Sequence, residues 1–450
     1  MEEVWGTVSK AVQKTLKIRL LPVSKRDKAL VHRLLKDYTA LLREALDVVV
    51  GSDVRSKKRA HELCYKRLRE KYPHLHNKYV EEAYKRALLM YRSYRRLLGK
   101  WMKHKRGKPP SPPSLEANRV VDLHIDTLRI EEKNGFKILR LSVGNGEHAR
   151  FVMLIYTHAL KEISCAMVSN SRLVVDGSAL YLLLTVRKDV EVSEHRNKLV
   201  VDINEDNVAC LLIDYDGSRA VLFTINYNIS RLRENYRRMR RSIQKEVENI
   251  YERNRLLEKY GARERNRVED RVKKVTTALA EIARACGADL VREKLKNMKL
   301  NSRKGSRKLN HRLQTLPYRK IIFNLDYKTR ERGLNVVEVD AKRTSITCPS
   351  CGCIDKRNRV SNKFKCTRCK FELNSHYVAC LNLFSRLNDG WVAIRGGRIH
   401  LSLEAGSAVP VDVAPDVSPK TRDTYYASCV WEHRYIHKRL IFDFIFIKFL

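Results

Sequence analysis

Four cysteines in the last third of the sequence constrain the fold more than any other feature. They form two C-x₂-C pairs separated by fourteen residues: Cys348 with Cys351, and Cys366 with Cys369. Two matched pairs at this spacing are typical of a Cys₄ site, in which each pair turns both sulfurs toward one tetrahedral Zn²⁺. Four thiolates leave no open coordination position, so the spacing predicts a structural zinc ion in a small ribbon, with Cys353 outside the ligand set. Redox-active or simply buried thiols are the alternative, and they would not need two matched pairs.

The net charge of the chain narrows the choice of partner. Lys and Arg number 91 against 51 Asp and Glu, which gives a formal net charge of +40 over 450 residues. Binding a polyanion relieves such self-repulsion, whereas solubility alone needs a net charge of only about 2–8 in a small domain. No stretch approaches about 18 uncharged apolar residues, and the N-terminal segment lacks the apolar run of a signal peptide. We expect an intracellular nucleic-acid-binding protein with no membrane partner.

The N-terminal half has the pattern of a helical segment set within β structure. A strand is predicted over Thr15 to Pro22, and about ninety residues with a helical pattern and a basic composition follow it. Four prolines within residues 106–114 end the helical pattern and predict a linker. Strand-length apolar segments separated by turn signals then extend to about residue 195. These patterns predict a β domain of residues 1–22 and 112–196 and a helical lobe of residues 23–111 that includes the Pro-rich linker.

Arginines and tyrosines alternate around the last helix of that lobe. Arg92, Arg95 and Arg96 surround a face that carries Tyr84 and Tyr91. Aromatic rings beside guanidinium groups can stack on bases and hold phosphates. The same pattern fits tyrosines that pack in a core and arginines that face solvent. Both interpretations are open at this point.

The second half changes to an α/β pattern. A strand ends near Asp202, and two more strands follow, joined by a hairpin signal at Asp216-Gly217. A charged helix is predicted from residue 230 to 260, where Gly261 interrupts it, and helix resumes until a stop at Gly287. A strand with Glu293 at its C-terminal end, a helix and one more strand complete the order. Three hairpin-linked strands, helix, strand, helix, strand is the order of a ribonuclease-H-like α/β domain.

The segments around these features resemble the TnpB family, the transposon-encoded OrfB proteins related to type V CRISPR effectors. The resemblance is carried by "VEVDAKRTSITCPSCG", "FKCTRCKFEL" and "ACLNL", together with the strand ending in Asp202 and "LVREKL" containing Glu293. It is specific around residues 330–385 and lapses after about residue 390. It implies a multidomain α+β protein: a RuvC-like (RNase H-like) domain over 197–346, a zinc ribbon over 347–371, a last RuvC segment over 372–390 and an atypical tail over 391–450. The β domain would be a wedge-like β-barrel, and the helical lobe would recognise nucleic acid.

The resemblance also implies a set of site residues. Asp202 and Glu293 would hold two divalent ions, Mg²⁺ or Mn²⁺, with a third acidic residue after the ribbon. The family's segment there usually reads DxNAAxN, and placing its last asparagine on Asn382 puts His376 at the aspartate and Val378 at the inner asparagine. Glu372 and Asp389 lie nearby but not at the family position. A neutral imidazole brings no negative charge and suits softer ions than Mg²⁺.

Three functions are compatible with these residues. The first is a transposon-encoded, RNA-guided DNA endonuclease that takes a guide RNA and a double-stranded DNA target, with Arg343, Arg92, Arg95 and Arg96 as candidate nucleic-acid contacts. The second is an RNA-guided DNA binder whose cleavage is weak or lost because of His376. The third is a zinc-ribbon RNA-binding protein without a DNA target. For each, a prokaryotic cytoplasmic, nucleoid-associated location is expected. An apolar segment, Leu440 to Leu450, is too short and too interrupted by charge to span a bilayer.

Overall fold

The computed structural model describes residues 8–105, 107–155, 160, 163, 167–215, 219–294, 317–387, 390–395, 398–403 and 408–413. These residues divide into two compact units. The N-terminal unit comprises Ala11–Asp189, and the C-terminal unit comprises the chain from Val190 onward together with residues 8–10. Both units combine helices with β-sheet, so the predicted multidomain α+β fold is confirmed. None of the helices among the described residues has both the length and the apolar character needed to cross a bilayer.

The described residues of the N-terminal unit include three long helices and one seven-stranded sheet. The helices are α1 (Lys25–Gly51), α2 (Lys57–Lys71) and α3 (Asn77–His104). The strands are β1 (Val8–Pro22), β2 (Val120–Leu123), β3 (Leu128–Lys133), β4 (Phe136–Gly144), β5 (Glu147–Leu154), β6 (Met167–Asp176) and β7 (Ala179–Val192). They pair in the order β2-β6-β7-β1-β5-β4-β3, so β2 and β3 lie at the two ends of the order. A single short 3₁₀ turn, Ile125–Thr127, connects these two strands.

Capping residues divide the predicted helical segment into three helices. Ser24 and Ser56 cap α1 and α2 by accepting hydrogen bonds from backbone N–H groups in the first turn, and His76 does the same for α3. On α3, Tyr84 is 3% exposed and Tyr91 is 5% exposed. The tyrosines therefore pack in the core of the unit, and the interpretation in which they stack on bases is wrong for these two residues.

The C-terminal unit is built on an eight-stranded sheet with helices on both faces. Its strands are β8 (Asn197–Ile203), β9 (Asn207–Asp214), β10 (Arg219–Asn226), β11 (Ala288–Glu293), β12 (Val336–Val339), β16 (Gly390–Arg395), β17 (Arg398–Leu403) and β18 (Ala408–Val413). Its helices are α4 (Ile229–Glu246), α5 (Ile250–Ala285), α6 (Tyr318–Glu331) and α7 (Ser375–Ser385). The strand order is β12-β11-β8-β9-β10-β18-β17-β16. Strand β9 pairs antiparallel with both β8 and β10, whereas β11 pairs in parallel with β8, and β12 pairs in parallel with β11.

Two apolar layers cover the faces of this sheet. Alternate residues of β8 point in opposite directions, so Leu199 and Val201 belong to the apolar cluster that includes α4, α5 and α6, whereas Val200 belongs to the cluster that includes α7. Because both faces are buried, the central strands are almost uninterrupted apolar runs, as is typical of sheets covered on two sides.

One sequence prediction in this unit differs from the structure. Gly261 does not interrupt a helix: α5 runs continuously through it, and the break lies at residues 247–249, where Asn249 caps α5 by accepting from the N–H groups of Tyr251 and Glu252. One helical glycine costs only about 1 kcal/mol, which packing can offset. The first part of the tail joins the sheet, because β18 pairs in parallel with β10. The predicted helix stop at Gly287 is confirmed by its positive φ of 53°.

Three further predictions concern residues that the structure does not describe. The apolar segment from Leu440 to Leu450 and the neighbouring acid Asp389 both lie outside the described residues. The Asp216-Gly217 turn also lies outside them, although the strands that it joins pair as an antiparallel hairpin, with Asp214 opposite Arg219.

Candidate functional site

The four predicted cysteine ligands converge on one point. The Sγ atoms of Cys348 and Cys369 are 3.5 Å apart, as are those of Cys351 and Cys366, and all four lie within 4.8 Å of one another. A regular tetrahedron with Zn–S bonds of about 2.3 Å requires S···S separations of about 3.8 Å. The observed arrangement therefore fits a four-coordinate metal ion. Among the described residues, no other group of three or more His, Cys, Asp or Glu side chains brings its ligand atoms this close together.

Both cysteine pairs use the same backbone turn. The N–H of Cys348 donates to the carbonyl of Cys353 at 2.9 Å, and the N–H of Cys366 donates to that of Phe371 at 2.9 Å. The residue after each second cysteine has positive φ: Gly352 at 69° and Lys370 at 62°. This repeated turn aims two sulfurs from each pair at a common centre. Cys353 lies outside the cluster, with its Sγ 3.8 Å from Thr367 Oγ1, as the spacing predicted.

The cysteine ribbon is packed against α7. Its three short strands are β13 (Arg359–Val360), β14 (Lys363–Lys365) and β15 (Glu372–Asn374), and α7 follows directly. Phe364 of the ribbon shares a buried cluster with Val378 of α7. The buried Asn382 side chain donates to the carbonyls of Thr344 and Thr347 at 2.6 and 2.8 Å. The ribbon therefore fixes the start of α7, where His376 is the second residue.

Strand register places two carboxylates side by side. In the parallel pair β8–β11, Arg292 is opposite Val201, so the next residues, Glu293 and Asp202, are neighbours at the C-terminal ends of the two strands. Paired residues of adjacent strands point to the same face, and both of these residues follow the alternation toward α7. Open α/β sheets commonly form their sites at this edge. Sequence order placed these residues 91 positions apart, and the sheet brings them together.

His376 completes this cluster from the opposite side. Its Nδ1 lies 3.3 Å from Oδ2 of Asp202. The side chains of His376 and Asp202 are 13% and 14% exposed, so the contact is shielded from solvent but still accessible from it. Asn374 caps α7 by accepting from the N–H of His376 at 3.0 Å, which fixes the helix start that carries the imidazole. The structure thus brings His376 into contact with Asp202, and Glu293 lies at the end of the neighbouring strand; we call these three residues the acidic centre.

The electrostatics of the acidic centre are those of two carboxylates in a confined space. Burial, reinforced by the negative charge of Asp202, raises the pKa of Glu293 to about 7, and the neighbouring Arg292 opposes this rise. Burial and the charges of Asp202 and Glu293 also raise the pKa of Tyr318, at the start of α6, to about 12. A divalent cation would neutralise this accumulated negative charge. The carboxylate oxygens of Asp202 and Glu293 are donors of the kind that Mg²⁺ and Mn²⁺ prefer. No sequence pattern indicated that Arg292 and Tyr318 would lie beside these carboxylates.

The four arginines predicted to contact nucleic acid are all exposed, and they differ in their intramolecular contacts. Arg92 donates through Nε and Nη2 to the carbonyl of Arg55, at 3.0 and 2.6 Å, so its guanidinium helps to hold the α1–α2 connection. Arg95 lies 3.8 Å from Asp53, and Arg96 is exposed. Arg343 is exposed in the turn before the ribbon, with φ of 63°. Sequence pattern alone could not separate the arginine with an intramolecular role from the others.

Comparison with known proteins assigns the chain to a family. Residues 318–383 match the model of the Cas12f1-like TNB domain. A TnpB-like protein of Methanocaldococcus jannaschii is 30% identical over 211 residues, which cover 46% of this chain and 75% of the relative. Cas12f1, a CRISPR-associated endodeoxyribonuclease of Sulfoacidibacillus thermotolerans, is 38% identical over 72 residues, which cover 16% of this chain and 17% of the relative. The fold resembles that of Cas12f1 in its complex with sgRNA and target DNA, with a TM-score of 0.53 and 12% identity over 84% of this chain and 98% of that one. The chain belongs to the TnpB family, the relatives of the type V effectors.

Proposed function

We propose that this protein is a transposon-encoded, RNA-guided DNA-binding protein whose C-terminal unit carries a RuvC-like, divalent-metal-dependent DNA endonuclease centre. The observation that carries the proposal is the register of β8 and β11, which sets Asp202 beside Glu293 with His376 against them. The relative Cas12f1 is named as an endodeoxyribonuclease, and the similar fold was solved with sgRNA and target DNA. The net charge of +40 suits a protein that binds both an RNA and a DNA duplex.

Strand order supports the domain assignments within this proposal. In the C-terminal unit, the order β10-β9-β8-β11-β12 has three antiparallel strands followed by two that are parallel to β8, which agrees with a RuvC-like domain over 197–346. The ribbon over 347–371 and the segment over 372–390 then add the cysteine cluster and α7. The remaining residues, 391–450, begin with three more strands of the same sheet.

Connection length supports a wedge-like β-barrel over 1–22 and 112–196. A flat sheet of seven strands would separate its first and last strands by about 29 Å, because neighbouring strands lie about 4.8 Å apart. The first and last strands are β2 and β3, which residues 124–127 connect. Those five Cα-to-Cα steps reach at most about 18 Å. The sheet must therefore curl until its two end strands approach each other, as in a barrel. In this proposal the helices of residues 23–111 form the nucleic-acid recognition lobe.

The residues of the acidic centre have distinct tasks in this function. When bound, two divalent ions activate a water and stabilise charge on the leaving oxygen of a phosphodiester. Asp202 contacts His376 and is the strand neighbour of Glu293, so Asp202 and Glu293 would hold the ions, Glu293 after losing its proton. The Cys348–Cys351–Cys366–Cys369 cluster would hold Zn²⁺ and act only structurally, by orienting α7 and therefore His376.

A second candidate function is an RNA-guided DNA binder with weak or no cleavage. The observation that favours it is the contact of His376 with Asp202, because an imidazole replaces the third carboxylate of the family pattern. The centre then carries one negative charge fewer, which weakens Mg²⁺ binding and favours softer ions such as Mn²⁺. A zinc-ribbon RNA-binding protein, the third possibility, has no use for the adjacent carboxylates.

The experiment starts from protein produced together with the DNA that flanks its gene. RNA that copurifies is sequenced, and a plasmid library is built with the matching target next to randomised bases. Binding to the programmed duplex and not to a scrambled one supports RNA-guided recognition, and its failure in the presence of a discrete bound RNA would leave only the RNA-binding function. Cleavage is then measured with Mg²⁺ and with Mn²⁺.

Three variants decide between cleavage and binding alone. Asp202→Ala should abolish cleavage and leave programmed binding intact, because the substitution removes a metal ligand and no nucleic-acid contact. His376→Asp should raise cleavage with Mg²⁺ by at least about tenfold, because it restores a carboxylate that stabilises the metal. Glu372→Gln, at an exposed acid paired with Lys365 in the ribbon, is the control and should change nothing. Equal cleavage by wild type and His376→Asp would show that His376 does not occupy the third ligand position.

A further inference from the structure

A second charge cluster lies directly behind the acidic centre, on the other face of the sheet. Side chains alternate along β11, so Arg292 points toward α6 whereas Glu293 points toward α7. The Arg292 side chain is only 5% exposed. A buried charge is tolerated only where it is paired and hydrogen-bonded, so this guanidinium must have specific partners.

The Arg292 guanidinium connects three parts of the C-terminal unit. Its Nε and Nη2 donate to the two carboxylate oxygens of Asp326 on α6, at 2.7 and 2.6 Å, which is a bidentate pair. Its Nη2 also donates to Oε1 of Glu338 on β12 at 2.6 Å. Its Nη1 donates to the main-chain carbonyl of Glu293 at 3.0 Å. A planar guanidinium makes these contacts in one fixed geometry, which an ammonium group does not reproduce.

The contact with the Glu293 carbonyl is made where the strand ends. The last described contact of this ladder is made by the N–H of Lys294, which donates to the carbonyl of Val339 at 2.7 Å. Strand ends have few neighbouring bonds and open more readily than strand centres. The Glu293 peptide is held on one side by β12 and on the other by Arg292, so the direction of its carboxylate depends on both.

We propose that Arg292 is a positioning residue for the acidic centre: its guanidinium holds the Glu293 peptide to α6 and β12, and so keeps the Glu293 carboxylate beside Asp202 in the orientation that binds a divalent cation. This proposal depends on the proposed function of that centre. Arg292 lies on the face of the sheet opposite to the acidic centre, so it would act only through Glu293. Outer-shell partners of metal ligands typically contribute about 10–100-fold to metal affinity.

The chain offers a matched control. Arg332, just after α6, donates through Nε and Nη2 to Oε1 of Glu281 on α5, at 3.1 and 2.7 Å, and its side chain is 17% exposed. It is an arginine–carboxylate contact on the same face of the sheet, and it does not touch the acidic centre. A purely structural role for Arg292 predicts that Arg292→Lys and Arg332→Lys behave alike.

The test measures Mn²⁺ binding to the full-length, zinc-loaded protein by electron paramagnetic resonance, which counts free Mn²⁺. Wild type, Glu293→Gln, Arg292→Lys and Arg332→Lys are compared at a temperature at which circular dichroism shows each to be folded. We expect Glu293→Gln to lose the site, Arg292→Lys to bind about tenfold more weakly, and Arg332→Lys to stay within about twofold of wild type. If Arg292→Lys does not fold, Asp326→Asn retains the arginine and loosens its bidentate contact, with a smaller loss expected.

The outcomes separate this inference from the function on which it depends. Mn²⁺ binding that Glu293→Gln does not change would overturn the proposed metal centre, and the positioning role with it. Binding that is lost in Glu293→Gln but is the same in Arg292→Lys and Arg332→Lys would overturn the positioning role alone. A selective tenfold loss in Arg292→Lys supports it.

Discussion

Because the pKa of Glu293 is raised, metal binding at the acidic centre should depend on pH and should release a measurable number of protons. Burial and the charge of Asp202 raise this pKa to about 7, so the carboxyl group is largely protonated in slightly acidic solution when no cation is bound. A carboxyl group must lose its proton to coordinate a divalent ion. Metal binding should therefore release a proton below pH 7 and almost none above it.

The size of this effect follows from the pKa. With a value of about 7, about 0.9 of Glu293 is protonated at pH 6 and about 0.1 at pH 8. Metal binding should then release about 0.9 proton at pH 6 and about 0.1 at pH 8. The apparent association constant should rise about tenfold between the two values, because the competing proton is lost.

Isothermal titration calorimetry measures this release directly. Mn²⁺ is titrated into zinc-loaded protein at pH 6 and pH 8, each in two buffers of different ionisation enthalpy, and the difference in heat gives the protons released. His376→Gln is measured in parallel, because an imidazole that binds metal can also release a proton. The protons that His376→Gln still releases on metal binding should come from Glu293, so Glu293→Gln should not show this release. A proton release near zero at pH 6 in His376→Gln would refute the assignment of Glu293 as a buried, protonated metal ligand.

Three further predictions concern the stability of the C-terminal unit. Without divalent metal, Glu293→Gln should be more stable than wild type above pH 7. The difference in the free energy of unfolding, measured with urea, should be about 3 kcal/mol at pH 8 and less than about 1 kcal/mol at pH 5, because a pKa raised from 4.5 to about 7 penalises the ionised carboxylate in the folded state only. Equal pH dependence of the two proteins would contradict this. Cys366→Ser should remove the bound zinc and expose the ribbon and the start of α7 to limited proteolysis, since Phe364 and Val378 share one cluster; unchanged zinc content would contradict the ligand set. Asp289→Ala should cost about 3–5 kcal/mol, because Asp289 is 1% exposed and accepts from His195 and Lys198, whereas loss of the exposed Asp270–Lys274 pair should cost at most about 0.5 kcal/mol.

The sequence predicted the elements that depend on local rules. Turn chemistry and cysteine spacing are local, so the ribbon and its four convergent sulfurs were predicted without knowledge of the rest of the chain. The helix stop at Gly287 is local for the same reason, because only glycine adopts its positive φ at little cost. The prediction for Gly261 failed because the cost of a glycine in a helix is small against the packing of a 36-residue helix on the sheet.

Contacts between distant segments needed the tertiary structure. Nothing in the pattern around Arg292 distinguishes a solvated arginine from one that is bonded to Asp326, Glu338 and the Glu293 carbonyl. The first strands of the tail extend the sheet through a parallel pairing of β18 with β10, which no hairpin signal indicates. Pairing of this kind joins segments that are far apart in sequence, and local propensity does not determine it.

The amino-acid sequence alone determined which side chains the protein has for chemistry: four thiols at ligand spacing, two acids at strand ends and a histidine in the segment after the ribbon. Only the tertiary structure decided that Glu293 lies beside Asp202, that His376 Nδ1 approaches Asp202 to 3.3 Å, and that Arg292 holds the strand end from behind. The physical reason is that sheet register and the packing of α7 set these separations. Both arise from burial of apolar surface across the whole unit and not from any short segment of the chain.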